Sequence, residues 1–276
     1  MSIPLVEIPP LSRSLPRIGF GCGRIVGRST LRQSARLIEA ALDAGIRYFD
    51  VAPYYGMGTA EEVLGEVIGN NKDVVIATKV GLPRPVYDAR RNLVRKLAKP
   101  VLDRARGLKT LARRFYAPRQ GPPGSMRPRY DYSEATIRAA IEESLRCLRR
   151  DRVDVYLAHD PHPDDLTPEL ASRFEALRRE GRIGAFGAGV EEPEDRWKPF
   201  GGVWQSGWPG ERAATYAADV FHVFHGVIRL APKNRAGATT VPASQLIRRA
   251  MEVSPESMIL ISTSTPRRLR ELVDGL

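Results

Sequence analysis

Tyr48-Phe49-Asp50-Val51-Ala52-Pro53-Tyr54-Tyr55-Gly56-Met57-Gly58 passes from a short apolar run into a polar, glycine-bearing turn, setting a carboxylate and a phenol close together. A second apolar run, Val74-Val75-Ile76-Ala77-Thr78, ends in Lys79, and a third, Val153 to Ala158, ends in His159. Each run delivers one ionisable group at its C-terminal end, which is the pattern of a site.

Around these runs, extended and helical segments alternate. Arg17–Cys22 reads as a strand. Thr30–Ala44 reads as a helix, with a Thr30/Gln33 capping box and Gly45 at its stop. Tyr48–Ala52 is extended, Thr59 with Glu62 predicts a capped helix over Ala60–Ile68, and Val74–Lys79 is extended again. Ser133–Leu148 is a helix and Val153–Leu157 a strand; Thr167 and Pro168 open a helix that stops at Gly181. Arg182–Val190 and Gly202–Gln205 read as strands, Glu211–Ala218 as a short helix and Phe221–Leu230 as a strand. Ser244–Glu252 then forms a helix, Met258–Ser262 a strand, and Thr265 caps a last helix over Pro266–Val273. Strict alternation favours parallel strands, and eight such units favour an α/β closed (β/α)8 TIM barrel as one domain over residues 1–276. In such a barrel the C-terminal strand ends, where Asp50, Lys79 and His159 fall, carry the chemistry.

The chain has 276 residues, 42% of them hydrophobic, enough to bury a large core. Met1 to Pro16 is interrupted by Pro4, Pro9, Pro10 and Arg13 and does not read as a signal peptide. No run approaches the roughly 18 apolar residues of a membrane span. Cys22 and Cys147 offer neither metal spacing nor a disulfide framework. A cytoplasmic protein is the economical expectation.

The formal charge is +11, and twelve Lys or Arg against two Asp lie between Arg84 and Arg119. So local an excess argues against a general nucleic-acid binder and makes residues 84–131 a basic insert after the third strand. Apolar residues from Leu93 to Phe115 recur every three or four positions, predicting a helix. It could pack on the barrel rim, cover the site and draw in an anionic substrate, or attach to a partner or an anionic membrane surface. Gln120–Arg129 reads as a linker within it. The oligomeric state is not legible.

A tyrosine is a weak acid at neutral pH, with a reference pKa of about 10. A buried lysine beside it favours the phenolate, an aspartate keeps the amine charged, and a histidine orients a carbonyl oxygen or relays the proton. Asp50, Tyr55, Lys79 and His159 therefore suit protonation of a carbonyl oxygen. No side chain donates hydride, so a nicotinamide cofactor is implied. His159 and His162 with Asp164 and Asp165 would be the start of a metal site, but no second histidine pair accompanies them, and no metal is expected. Gly19-Phe20-Gly21-Cys22-Gly23 misses the dinucleotide fingerprint, because Val26 stands where the third glycine belongs; Gly21 and Cys22 read instead as a strand end approached by the cofactor.

The Tyr48–Gly56 block, Gly58-Thr59-Ala60-Glu61-Glu62-Val63-Leu64-Gly65, Ala77–Gly81 and Tyr156-Leu157-Ala158-His159-Asp160 resemble the aldo-keto reductase superfamily, nearest to its aldose dehydrogenase-like bacterial and plant branches. The resemblance implies Asp50, Tyr55, Lys79 and His159 as catalytic residues, with Tyr55 the proton donor. Ser264-Thr265-Pro266-Arg267-Arg268-Leu269-Arg270-Glu271 is similar to the segment holding the adenosine end of the cofactor, which implies Ser264, Arg268 and Glu271 as contacts. The arginines favour NADPH (NADP+), with NADH the second option. Leu272 stands where the family commonly has Asn, and Ala188-Gly189 where it commonly has Ser-Asn. Gln205 and His222 compete for the glutamine position that meets the nicotinamide amide. The implied function is an NADPH-dependent oxidoreductase acting on a small carbonyl or sugar. The alternative is a nucleotide-binding regulatory barrel that uses the insert for a partner or membrane.

Overall fold

A computed structural model describes residues 3–25, 30–85, 130–191, 200–215, 219–230 and 241–276. Residues 86–129 of the basic insert, with its expected helix, lie outside the described residues.

Among the described residues, eight parallel strands close into a barrel. After a hairpin of β1 (Leu5–Ile8) and β2 (Arg13–Pro16), the barrel strands in chain order are β3 (Ile18–Gly21), β4 (Tyr48–Asp50), β5 (Val75–Val80), β6 (Val153–His159), β7 (Ile183–Gly189), β8 (Val203–Gly207), β9 (Phe221–His225) and β10 (Met258–Ile261). Each pairs with its neighbour in sequence, and β10 closes on β3 through Ile259 opposite Ile18 and Ile261 opposite Phe20. The expected barrel is the observed one.

Helices α1 (Leu31–Asp43), α2 (Ala60–Val67), α3 (Glu134–Leu148), α4 (Pro168–Arg179), α5 (Ala243–Val253) and α6 (Pro266–Asp274) accompany them. Local signals set most of the helix starts. At α1 both halves of the capping box form, with Gln33 N donating to Thr30 Oγ1 at 3.2 Å and Thr30 N donating to Gln33 Oε1 at 2.9 Å. Ser133, Thr167 and Thr265 cap α3, α4 and α6 through the side-chain half alone, accepting from the backbone N–H of Thr136, Leu170 and Arg268.

Three expectations need correction. Thr59 makes no capping bond to α2: its backbone is helical (φ −108°, ψ −2°) rather than extended, and its hydroxyl donates to Gly56 O at 2.8 Å. The strand expected over Phe221–Leu230 stops at His225, since Gly226 takes φ +75° and Val227–Leu230 coils into a 3-10 turn. Gly210–Thr215 is likewise a 3-10 turn where a short helix is expected, and so few residues do not nucleate an α-helix alone.

The N-terminal hairpin is not legible in a proline-broken segment. Yet Val6, Ile8 and Leu15 join Tyr48, Val75, Ala77, Val155, Leu157, Ala185, Val203, Phe221 and Val223 in one buried cluster. These strand residues alternate along the chain, so they define the inward face of the barrel, and the hairpin plugs its N-terminal end. Continuing the same alternation toward the C-terminal ends brings Asp50, Lys79, His159, Gly189, Gln205 and His225 inward.

Candidate active site

Asp50 ends β4 and Lys79 lies near the end of β5, with 4% and 2% of their surface exposed. Lys79 Nζ donates to Asp50 Oδ1 and, at 3.0 Å, to Val51 O. A buried ammonium needs such partners, and removing either leaves a stranded charge. Tyr55 comes from a 3-10 turn, Tyr55–Gly58, in which Gly56 and Met57 both adopt left-handed conformations (φ 61° and 60°). The turn lays its ring 5.1 Å from Lys79 Nζ, centroid to nitrogen. His159, the last residue of β6, meets Tyr55 edge-on at 6.1 Å between ring centres. A Cβ at Gly23 would lie 3.7 Å from the Tyr55 ring, in ordinary van der Waals contact.

The electrostatics differ from the simplest expectation in one respect. Burial raises the Tyr55 pKa above that of a free phenol, and the opposing pull of Lys79 does not cancel it. Burial works against the Lys79 ammonium, but Asp50 and Tyr55 outweigh it and hold that pKa above its ordinary value. Burial and then the Lys79 charge push His159 down to about 3, so the imidazole is neutral at physiological pH. The site thus holds a protonated phenol, a charged amine and a neutral imidazole in one cluster. That set can hand a proton to a carbonyl oxygen lying between Tyr55 and His159.

Gln205 lies on the inward face of β8, opposite Gly189 and buried, and its Oε1 has no hydrogen-bond partner among the described residues. His222 points the other way, stacked on Phe224 at 5.7 Å and lining a cavity with Leu5 and Glu7 of the hairpin. Strand alternation therefore puts Gln205, not His222, beside the four residues above. At Gly189 a Cβ would touch Lys79 Cε at 3.5 Å, while Ala188 faces outward and is fully buried.

Gly21 ends β3, and its carbonyl accepts a hydrogen bond from Ser262 Oγ at 2.9 Å. Cys22 is fully buried, and burial followed by the Asp50 charge pushes its thiol pKa up. Ser264 is exposed between β10 and α6. Arg268 and Arg267 both pair with Glu271 on the first turns of α6, at 3.1 and 2.9 Å. Leu272 turns into the core with 2% exposed, so it offers no polar contact. His162 caps a 3-10 turn by accepting from Asp164 N.

The sequence reading missed His225. It ends β9 on the inward face; its Nε2 lies 3.3 Å from Val190 O and its Nδ1 3.1 Å from Arg229 Nη2. An arginine beside Nδ1 and a carbonyl beside Nε2 favour the neutral tautomer with the proton on Nε2. Burial lowers its pKa, against the pull of Glu191 and Asp50. The alternation of Phe221, Val223 and His225 carried the signal, but a strand drawn on to Leu230 hid the end at which His225 sits.

A model of the aldo/keto reductase family matches residues 17–195. D-threo-aldose 1-dehydrogenase from a Pseudomonas species is 35% identical over 185 residues, covering 64% of this chain and 50% of that protein. The chain spans about half the length of the curated relatives it matches. Among solved structures, an aldo-keto reductase from Bacillus halodurans in its holo form aligns with 99% of the chain and 90% of its own, at TM-score 0.68 and 20% identity. An aldo-keto reductase from Klebsiella pneumoniae in complex with NADPH aligns with 100% of the chain and 90% of its own, at TM-score 0.63 and 18% identity. These likenesses to solved structures concern the fold.

Proposed function

The chain belongs to the aldo/keto reductase family, and from that premise we propose that it is an oxidoreductase using NADPH to interconvert a small carbonyl compound, an aldehyde, ketone or sugar, and its alcohol. The observation that carries the proposal is Lys79, which bonds buried Asp50 on one side and underlies the Tyr55 ring on the other. The similarity to an aldose dehydrogenase supports a sugar or other polyol-derived substrate.

The residues fit a nicotinamide. Gln205 presents a buried acceptor oxygen with no partner, suited to the N–H of a carboxamide. Gly23 and Gly189 carry no side chain beside Tyr55 and Lys79, while the space at Gly21 is taken by Ser262 Oγ. Ser264 and Arg268, at the capped start of α6, are suited to a phosphate. When bound, the nicotinamide supplies the hydride for reduction or receives it in oxidation.

This chain's own residues handle the proton. Tyr55 keeps its hydroxyl proton at neutral pH and donates it to the carbonyl oxygen as negative charge develops there. Lys79 stabilises the resulting phenolate, and Asp50 holds Lys79 charged and in place. Neutral His159 holds the carbonyl oxygen through a ring N–H. In the oxidative direction Tyr55 must first lose its proton, and Lys79 again offsets the cost.

Titrating the protein with NADPH while following tryptophan fluorescence, then assaying an aldehyde, ketone and sugar panel, tests the proposal. Saturable binding with turnover supports it, and no response to NADPH or NADP+ sinks it. Binding without turnover on the whole panel favours the regulatory barrel.

A further inference from the structure

Both residues proposed to handle the proton sit where regular structure stops. Tyr55 belongs to a turn with two consecutive left-handed residues, one of them Met57, so the local chain has no intrinsic preference for that shape. His159 is the last residue of β6, and Asp160 after it is also left-handed, with φ 47°. Ladder and turn bonds supply part of the support, Asp160 N donating to Gly189 O at 2.6 Å and Thr59 Oγ1 to Gly56 O at 2.8 Å; something beyond these elements supplies the rest.

At the Tyr55 turn that something is Arg84. Its Nη1 donates to Gly58 O at 2.7 Å, and its Nη2 pairs with Glu61, whose side chain is fully buried. The other Glu61 oxygen accepts from Thr78 Oγ1 at 2.5 Å, one residue before Lys79. The fork of one guanidinium therefore ties the turn of Tyr55 to α2 and, through Glu61, to β5. The fit is close: Gly58 has φ +92°, and a Cβ there would fall 2.4 Å from Pro85 O.

At His159 the holder is Tyr132. Its hydroxyl donates to His159 O at 2.8 Å, and its own carbonyl accepts from Arg173 Nη1 at 2.7 Å. Its ring lies so close to Gly81 that a Cβ at Gly81 would come within 2.7 Å of it. Tyr132 thus spans the ends of β5 and β6 next to Lys79 and His159.

We infer that Arg84 and Tyr132 are positioning residues that fix the turn of Tyr55 and the strand end of His159, so that phenol and imidazole converge on one substrate oxygen. The inference rests on the proton-transfer reading above and adds two residues to it. Neither reaches the substrate; each acts through a backbone carbonyl.

The test uses the full chain with three variants: Tyr132→Phe, which keeps the ring against Gly81; Glu61→Gln/Arg84→Met, which removes the buried charges together; and Arg84→Lys. Carbon NMR of labelled tyrosine and proton NMR of the imidazoles follow Tyr55 and His159 without cofactor, while kcat and KM are measured with NADPH. In Tyr132→Phe, His159 should titrate at least about one pH unit higher, because a loosened strand end admits water. In the double variant, Tyr55 should titrate closer to about 10 for the same reason. In each, kcat should fall about tenfold or more while the KM for NADPH stays within about twofold, since a misaligned acid slows the chemistry without weakening cofactor binding. Arg84→Lys should restore part of the loss. Parental titrations in both the Phe and the double variant overturn the inference, whether or not the parent turns over. An inactive parent with shifted titrations overturns only the proton-transfer reading. A double variant that does not fold leaves the decision to Tyr132→Phe and Arg84→Lys.

Discussion

Lys79 Nζ lies 5.1 Å from the centre of the Tyr55 ring while holding Asp50 by a direct ion pair. One buried ammonium therefore serves two partners, a carboxylate and a phenol that becomes anionic only during reaction. The first partner keeps it charged, and the second uses that charge.

Tyr55→Phe removes the proton and leaves the ring. Turnover should fall by about three orders of magnitude or more, since general acid catalysis contributes on the order of 10²–10⁴-fold. NADPH affinity should stay within about twofold. Steady-state rates and fluorescence titration check both, and a variant as active as the parent would remove the mechanism.

Lys79→Met leaves the Asp50 carboxylate buried beside a thioether. The single variant should lose about 3–5 kcal/mol of stability in urea unfolding. The double variant Asp50→Asn/Lys79→Met should recover much of that loss but none of the activity, because the loss of stability comes from a stranded charge and the activity needs the amine.

His159 provides a pH test of stability. Its folded pKa of about 3 lies below the ordinary value of about 6.5, so the unfolded chain binds the proton first. The contribution is complete above about pH 6.5 and is lost as pH falls from there toward 3. Chemical denaturation between pH 7 and pH 4 should show stability declining, and His159→Gln should flatten the slope by about one proton. The lowered pKa of His225 acts in the same direction and accounts for part of the slope that remains.

The raised pKa of Tyr55 bears on direction. Reduction needs the phenol, which is populated throughout the neutral range, whereas oxidation needs the phenolate. Alcohol oxidation should therefore accelerate with rising pH up to about 10 or beyond, while carbonyl reduction stays flat or declines. Coincident profiles in the two directions would assign the proton transfer to another group.

Gln205→Leu replaces an amide whose buried Oε1 has no partner among the described residues. The free protein should melt no lower than the parent, since an unpaired buried acceptor is costly. The gain in melting temperature on adding NADPH should shrink, with affinity about tenfold weaker. Equal gains in the two proteins would separate Gln205 from the cofactor.

Much of this was legible along the chain. The capping residues Thr30, Thr167 and Thr265 and the apolar runs ending in Asp50, Lys79 and His159 are local signals, and strand–helix alternation turns them into a barrel. Thr59 misled because capping needs an extended backbone, and the preceding turn leaves Thr59 at φ −108° and ψ −2°. The N-terminal hairpin was illegible because its apolar residues gain burial only against the barrel's end.

By itself the sequence determined which residue types stand at the strand ends, since the periodicity of strands and the chemistry of caps are local properties. Only the tertiary structure decided which way they face and how their charges behave. Closing the barrel turned Gln205 inward and His222 outward, a matter of parity that one misplaced strand end conceals. Closure also buried Tyr55 enough that desolvation outweighs Lys79, and it brought Arg84 and Tyr132 against carbonyls far away in sequence. Those outcomes depend on the removal of water and on contacts between distant segments, which no local pattern encodes.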